Sequence, residues 1–83
     1  MNTKDLAYFK ALVEKRNFTA VAKAFNVSQP TVTQAVKRLE REFEDELVHV
    51  DRAHSRTEIT RSGLLLYEKA SSITASLNLA HQE

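Results

Sequence analysis

Apolar positions recur every three or four residues along most of this chain, and each run is closed by polar or capping residues. Leu6, Phe9, Leu12 and Val13 share one face of a helix predicted from about Lys4 to Lys15. Asn17 offers a cap to a short second helix, in which Phe18, Val21, Ala22 and Phe25 repeat that face and Asn26 marks the end. Ser28-Gln29-Pro30 opens a third helix: the serine is an N-cap type, and proline is tolerated in a first turn, where its missing amide hydrogen costs nothing. Within it Val32, Val36, Leu39 and Phe43, spaced by four, three and four, form a stripe to be buried. Pro30, Thr33, Gln34, Lys37 and Arg41 fall on the opposite side, free to read something. The four phenylalanines, at 9, 18, 25 and 43, all lie on apolar stripes and are assigned to the core.

The third helix runs out in Glu44-Asp45-Glu46, negative charge set unfavourably against the C-terminal end of a helix dipole. The period then changes. Leu47-Val48-His49-Val50 and Arg56-Thr57-Glu58-Ile59 read as two short strands around the polar stretch Asp51 to Ser55, a β-hairpin wing. Thr60 caps a last helix. From Ile59, the small or apolar residues Gly63, Leu66, Ala70, Ile73, Leu77 and Ala80 alternate by four and three as in a heptad seam. With Leu64, Leu65 and Tyr67 added, this helix carries more apolar surface than one terminal helix can hide, so a partner helix is expected.

The 83 residues allow one small core and no second one. A 42% hydrophobic content with one glycine and one proline excludes disorder and argues for a mainly α fold. Absence of cysteine removes disulfides, thiol catalysis and most structural zinc sites, in keeping with a reducing cytoplasm. Without a signal-type apolar segment or a run of 18 apolar residues, the expectation is a soluble cytoplasmic chain that does not enter a membrane. Net charge is only +1, but it is unevenly placed: residues 1–39 carry +5, residues 40–51 carry −5 and the remainder +1. Histidines 49, 54 and 81 share no ligand spacing, so no metal or other cofactor is expected. No serine, histidine and acid are brought together by any pattern, and the chain is not expected to be an enzyme.

Short helix, tight turn and capped second helix from Asn17 to Arg41 have the layout of a helix-turn-helix. The run from Phe18 to Thr33, FTAVAKAFNVSQPTVT, followed by Leu39-Glu40, Leu47 and Ile59-Thr60-Arg61-Ser62-Gly63, resembles the N-terminal domain of the LysR-type transcriptional regulators. That resemblance touches nearly the whole chain. It implies a winged helix-turn-helix over residues 1–60, a three-helix core with a β-hairpin wing, followed by a linker and dimerisation helix over 61–83. It also implies a bacterial homodimer, often assembled into a tetramer, that binds double-stranded DNA at an interrupted palindrome. The small-molecule effector of such proteins binds a C-terminal domain absent from these residues, so the chain reads as a fragment with no effector site. Departures from the family pattern are Val21 for alanine, Thr33 for serine, Glu44 for a glycine that commonly ends the recognition helix, and Val48 and Val50 for phenylalanine and arginine.

Gln29 can donate and accept at once, which suits adenine N6 and N7; its plainer role is a solvated first-turn glutamine. Ser28, Pro30 and Thr31 accompany it, the latter two able to touch thymine methyls while Pro30 also starts the helix. Thr33 and Gln34, one turn on, are candidates for a base or a phosphate, and Lys37 and Arg38 for phosphates. In the wing, Arg52, His54 and Arg56 are candidates for the minor groove or its phosphates, against the plain reading of a surface loop. Dimerisation is assigned to Leu66, Ala70, Ile73, Leu77 and Ala80. A competing reading keeps the winged helix but makes it a protein-interaction module without specific DNA binding, consistent with the near-neutral charge and with Val50.

Overall fold

The computed structural model describes residues 2–51, 53 and 56–82, with side chains through residue 72 apart from that gap in the hairpin. Four helices and one hairpin follow in the predicted order: α1 (Thr3–Lys15), α2 (Phe18–Phe25), α3 (Gln29–Phe43), β1 (Val48–Asp51), β2 (Arg56–Ile59) and α4 (Arg61–Gln82). The fold is mainly helical, a winged helix-turn-helix. No described helix is long and apolar enough to cross a membrane.

Local chemistry explains the helix starts. Asn2 Oδ1 accepts the amide of Lys4 at 2.8 Å, and Asn17 Oδ1 accepts that of Ala20 at 2.9 Å. Ser28 occupies the N-cap of α3 but makes no side-chain cap bond. Pro30 has no N–H to give it, and the Thr31 amide turns back to the Ser28 carbonyl at 3.1 Å. The Ser28 hydroxyl instead pairs with Thr31 Oγ1 at 2.9 Å. At the other ends, Arg16, Asn26 and Glu44 each take up the left-handed conformation, with φ of 56°, 56° and 53°. Such a residue lets its own N–H reach back to the last turn, although only glycine or asparagine adopts it cheaply.

Phe9, Leu12, Val21, Val32, Val36, Leu39 and Leu47 are the large side chains shut off from solvent, with Tyr8, Val13, Ala22, Ala35 and Leu66 completing the core. α3 packs against both α1 and α2, and α4 returns to α1. Two of the four phenylalanines depart from the expected core. Phe25 and Phe43 are exposed, because each closes its helix past the last buried turn. Phe25 lies edge-on to Tyr8 with centroids 4.9 Å apart, whereas Phe43 is 44% exposed.

The strands are antiparallel, pairing Val48 with Ile59, His49 with Glu58, Val50 with Thr57 and Asp51 with Arg56. Leu47, expected in the first strand, precedes it as a core anchor. Thr60 ties the hairpin to α4: its hydroxyl donates to the Glu46 carbonyl at 2.6 Å and accepts the Gly63 amide at 3.0 Å, and its own amide reaches the Leu47 carbonyl. Glycine is required at 63 by this approach, since a β-carbon there would stand 2.2 Å from the Leu47 oxygen.

The first half of the α4 seam meets the chain's own core. Leu66 is 8% exposed and Ala70 1% within the single chain. Tyr67, on the same stretch, donates to Glu14 Oε2 of α1 at 2.8 Å, and that bond raises its pKa, keeping it a neutral donor. The chain hides this part of the helix by folding it back on α1. Leu64 and Leu65 are what remains exposed. The side chains of Ile73, Leu77 and Ala80, the second half of the seam, lie outside the described residues.

Candidate nucleic-acid interface

α3 separates its residues by periodicity. Val32, Ala35, Val36 and Leu39 face the core, while Gln29, Pro30, Thr31, Gln34 and Lys37 are exposed with Ser28 in front of them; Thr33 is half-buried. Among the described residues no hydrogen bond or ion pair engages the side chains of Gln29, Gln34 or Lys37. The expected reading residues are thus brought onto one convex, solvated edge at the N-terminal half of the helix. This end also presents backbone amides and the positive end of the helix dipole.

Arg38 behaves differently. Its Nε and Nη2 donate to Asp5 Oδ2 and Oδ1, each at 2.9 Å, in a two-pronged pair. The Asp5 side chain is 5% exposed and that of Arg38 50%. The hydrogen bonds and charge of Arg38 hold the Asp5 carboxyl below its usual range against the opposing effect of burial. Arg38 is therefore a clamp that seats α3 on the first turn of α1, with part of its guanidinium committed away from solvent. Nothing local in the sequence signals a pair 33 residues apart; only a charged residue on the buried face of α1 hints at it.

Glu40 was likewise without a role in the sequence. Its Oε2 accepts the amides of Leu47 and, at a longer 3.4 Å, Val48, tying the start of the hairpin to α3. The wing is thereby set in fixed relation to α3. Arg56 projects from β2 as an exposed residue opposite Asp51. Arg52 and His54, the other two wing candidates, lie outside the described residues.

Negative charge gathers at the far end of α3. Glu44, Asp45 and Glu46 are exposed there, about 22 Å along the helix from Gln29. Asp45 also accepts the hydroxyl of Ser62, bracing the turn against α4. A polyanion would meet the Gln29 end and be repelled from the other.

Comparison with known proteins agrees with this geometry. The model for bacterial regulatory helix-turn-helix proteins of the lysR family matches residues 3–64. The malolactic fermentation system transcriptional activator of Lactococcus lactis is 42% identical over 78 residues, covering 94% of this chain and 27% of the activator. The transcriptional regulator BudR of Klebsiella aerogenes is 40% identical over 75 residues, covering 90% of this chain and 51% of BudR. Among solved structures, the DNA-binding domain of CbnR in complex with DNA superposes with a TM-score of 0.88 at 32% identity, covering 99% of this chain and 92% of that one. The structure of CbnR, a LysR family transcriptional regulator, gives the same TM-score at 30% identity, and there the match covers 99% of this chain and 28% of that one. With three quarters of its length under the family model and the same fold as these domains, the chain belongs to the lysR family of bacterial regulatory helix-turn-helix proteins.

Proposed function

We propose that this domain binds double-stranded DNA sequence-specifically for a transcription regulator, with the N-terminal half of α3 in the major groove and the hairpin toward the adjacent minor groove. The observation that carries the reading is the exposed edge formed by Gln29, Pro30, Thr31, Gln34 and Lys37, in which the side chains of Gln29, Gln34 and Lys37 have no partner among the described residues, on a helix whose other face is locked in the core. Support comes from the CbnR domain, which has this fold and was solved on DNA. Gln29 is given the adenine edge, Pro30 and Thr31 thymine methyls, Ser28, Thr33 and Gln34 base or phosphate contacts, and Lys37 a phosphate. Arg38 contributes to phosphate binding only with what its pairing to Asp5 leaves free. Arg56, with Arg52 and His54, serves the wing contact. The active form is a homodimer through α4. The seam of Leu66, Ala70, Ile73, Leu77 and Ala80 is assigned to the partner helix, with Leu66 and Ala70 also meeting the chain's own fold. Further assembly and the response to a small effector belong to the remainder of a full-length regulator.

Selection of bound duplexes from a random pool, followed by titration of variants on the selected site, tests this. Gln29→Ala should cost about 1–3 kcal/mol on that site and relax preference at one base step. Lys37→Ala should weaken all sequences alike and reduce the salt slope by about one. No affinity for any duplex at low salt would replace this reading with that of a protein-interaction module.

A further inference from the structure

Phe43 and Leu65 are the feature that the DNA reading does not use. They are 44% and 52% exposed, and they flank a groove of about 470 Å³ between the end of α3 and the start of α4. Leu47 and Leu66 form its apolar floor, and Asp45, Ser62 and Lys69 its polar margin. A second, open depression adjoins it through Asp45, walled by Lys37, Glu40, Arg41, Glu44 and Glu46. An apolar slot thus opens directly onto a wall in which four acids outnumber two bases.

We propose that this groove is a docking surface for a segment of another protein, one that places an apolar side chain between Phe43 and Leu65 and sets Lys or Arg against Glu44, Asp45 and Glu46. Charge selects this occupant over the alternatives. DNA is repelled by the acidic wall and lacks an apolar anchor. A second copy offers the wrong complement from the C-terminal half of α4, since residues 71–82 contain no Lys or Arg. Of the basic residues in 1–39, Lys37 already lines the acidic depression and Arg38 is paired with Asp5. The surface is also rigid, because Glu40 holds Leu47, Thr60 holds Glu46, and Asp45 is bonded to Ser62. A preformed slot costs less ordering on binding than a mobile one. Lying about 22 Å along α3 from Gln29, it remains accessible while the other end of the helix is in a groove.

The test is a peptide-display selection on the immobilised 83-residue chain, using random twelve-residue peptides and counter-selection on a Leu65→Ser, Glu44→Gln, Glu46→Gln variant. All three positions are exposed, and a thermal melt confirms that the variant folds. The expected result is enrichment of peptides with an aromatic or aliphatic anchor flanked by Lys or Arg, binding the wild type at least tenfold more tightly than the variant. Amide shifts from such a peptide should centre on residues 43–47 and 62–69, while the variant keeps the base preference of the wild type on the selected duplex. Lack of enrichment, enriched peptides without basic residues, or equal binding to the variant overturns the proposal. So does sedimentation in which Leu65→Ser alone converts a dimer to a monomer, since the slot would then be covered by a second copy. None of these outcomes bears on Gln29, whose titration tests the DNA reading separately.

Discussion

Gly63 is the position where one added carbon should do most damage. An alanine β-carbon would stand 2.2 Å from the Leu47 carbonyl oxygen, 2.8 Å from Ile59 Cγ2 and 3.2 Å from the Leu47 carbonyl carbon. The Ile59 methyl can rotate away, but the carbonyl cannot, because it accepts the Thr60 amide and its residue is anchored in the core. Reaching an ordinary carbon–oxygen contact requires the first turn of α4 to withdraw by about 1 Å. That withdrawal stretches the Gly63 amide bond to Thr60 and loosens Leu66 from the core. Overpacking costs about 1–3 kcal/mol, and a backbone obstacle puts this case at the upper end. Alanine returns about 1 kcal/mol of helix propensity, leaving a net loss of about 2 kcal/mol. For a chain of this size that is a fall in Tm of about 10 °C. Urea and thermal unfolding at one fixed protein concentration, beside Ser72→Ala as an exposed control in the same helix, supply the measurement. A Gly63→Ala chain as stable as the wild type would show that the contact of α4 with the hairpin is not as tight as described.

Three further outcomes follow from the same packing. Asp5 has a lowered pKa in the fold, so its contribution is fully present above its ordinary value of 3.8 and is lost as pH falls through the lower folded value. The unfolding midpoint of Asp5→Asn should therefore lie below that of the wild type at neutral pH and converge on it in acid; a pH-independent gap would deny the Arg38 pairing. Glu44→Gly relieves a left-handed residue with a β-carbon and should raise stability by about 0.5–1 kcal/mol, measured by urea midpoint, whereas any loss would contradict that strain. Glu40→Ala leaves the Leu47 and Val48 amides without their acceptor and should cost about 1–3 kcal/mol, with the loss of hydrogen-exchange protection confined first to the hairpin.

Elements with a local signature were legible in the sequence. The stripes of α1 to α3, the Asn17 cap and Pro30 at the start of α3 each depend on neighbours within four residues, and the structure places those elements where the pattern put them. The exposed edge of α3 followed directly, since fixing Val32 and Val36 inward leaves Gln29 and Gln34 outward. Less was legible where the deciding partner lies far along the chain. Leu66 and Ala70 have the spacing of an intermolecular seam, but the return of α4 onto α1 buries them, and no local pattern can distinguish one cover from another. Arg38 is a phosphate candidate in the sequence, and its pairing with Asp5, 33 residues away, has no local signature. Phe43 continues the apolar period one turn beyond the core it was expected to join.

The outward edge of α3 as the DNA-reading surface is the claim on which the rest stands. Its most direct test is to follow the amide resonances of the labelled chain while the selected duplex is added. Shifts should concentrate in residues 28–37, with a second, smaller set on the hairpin near Arg56. Shifts confined to α4 or to the acidic end beyond Phe43, with residues 28–37 unmoved, would contradict the account.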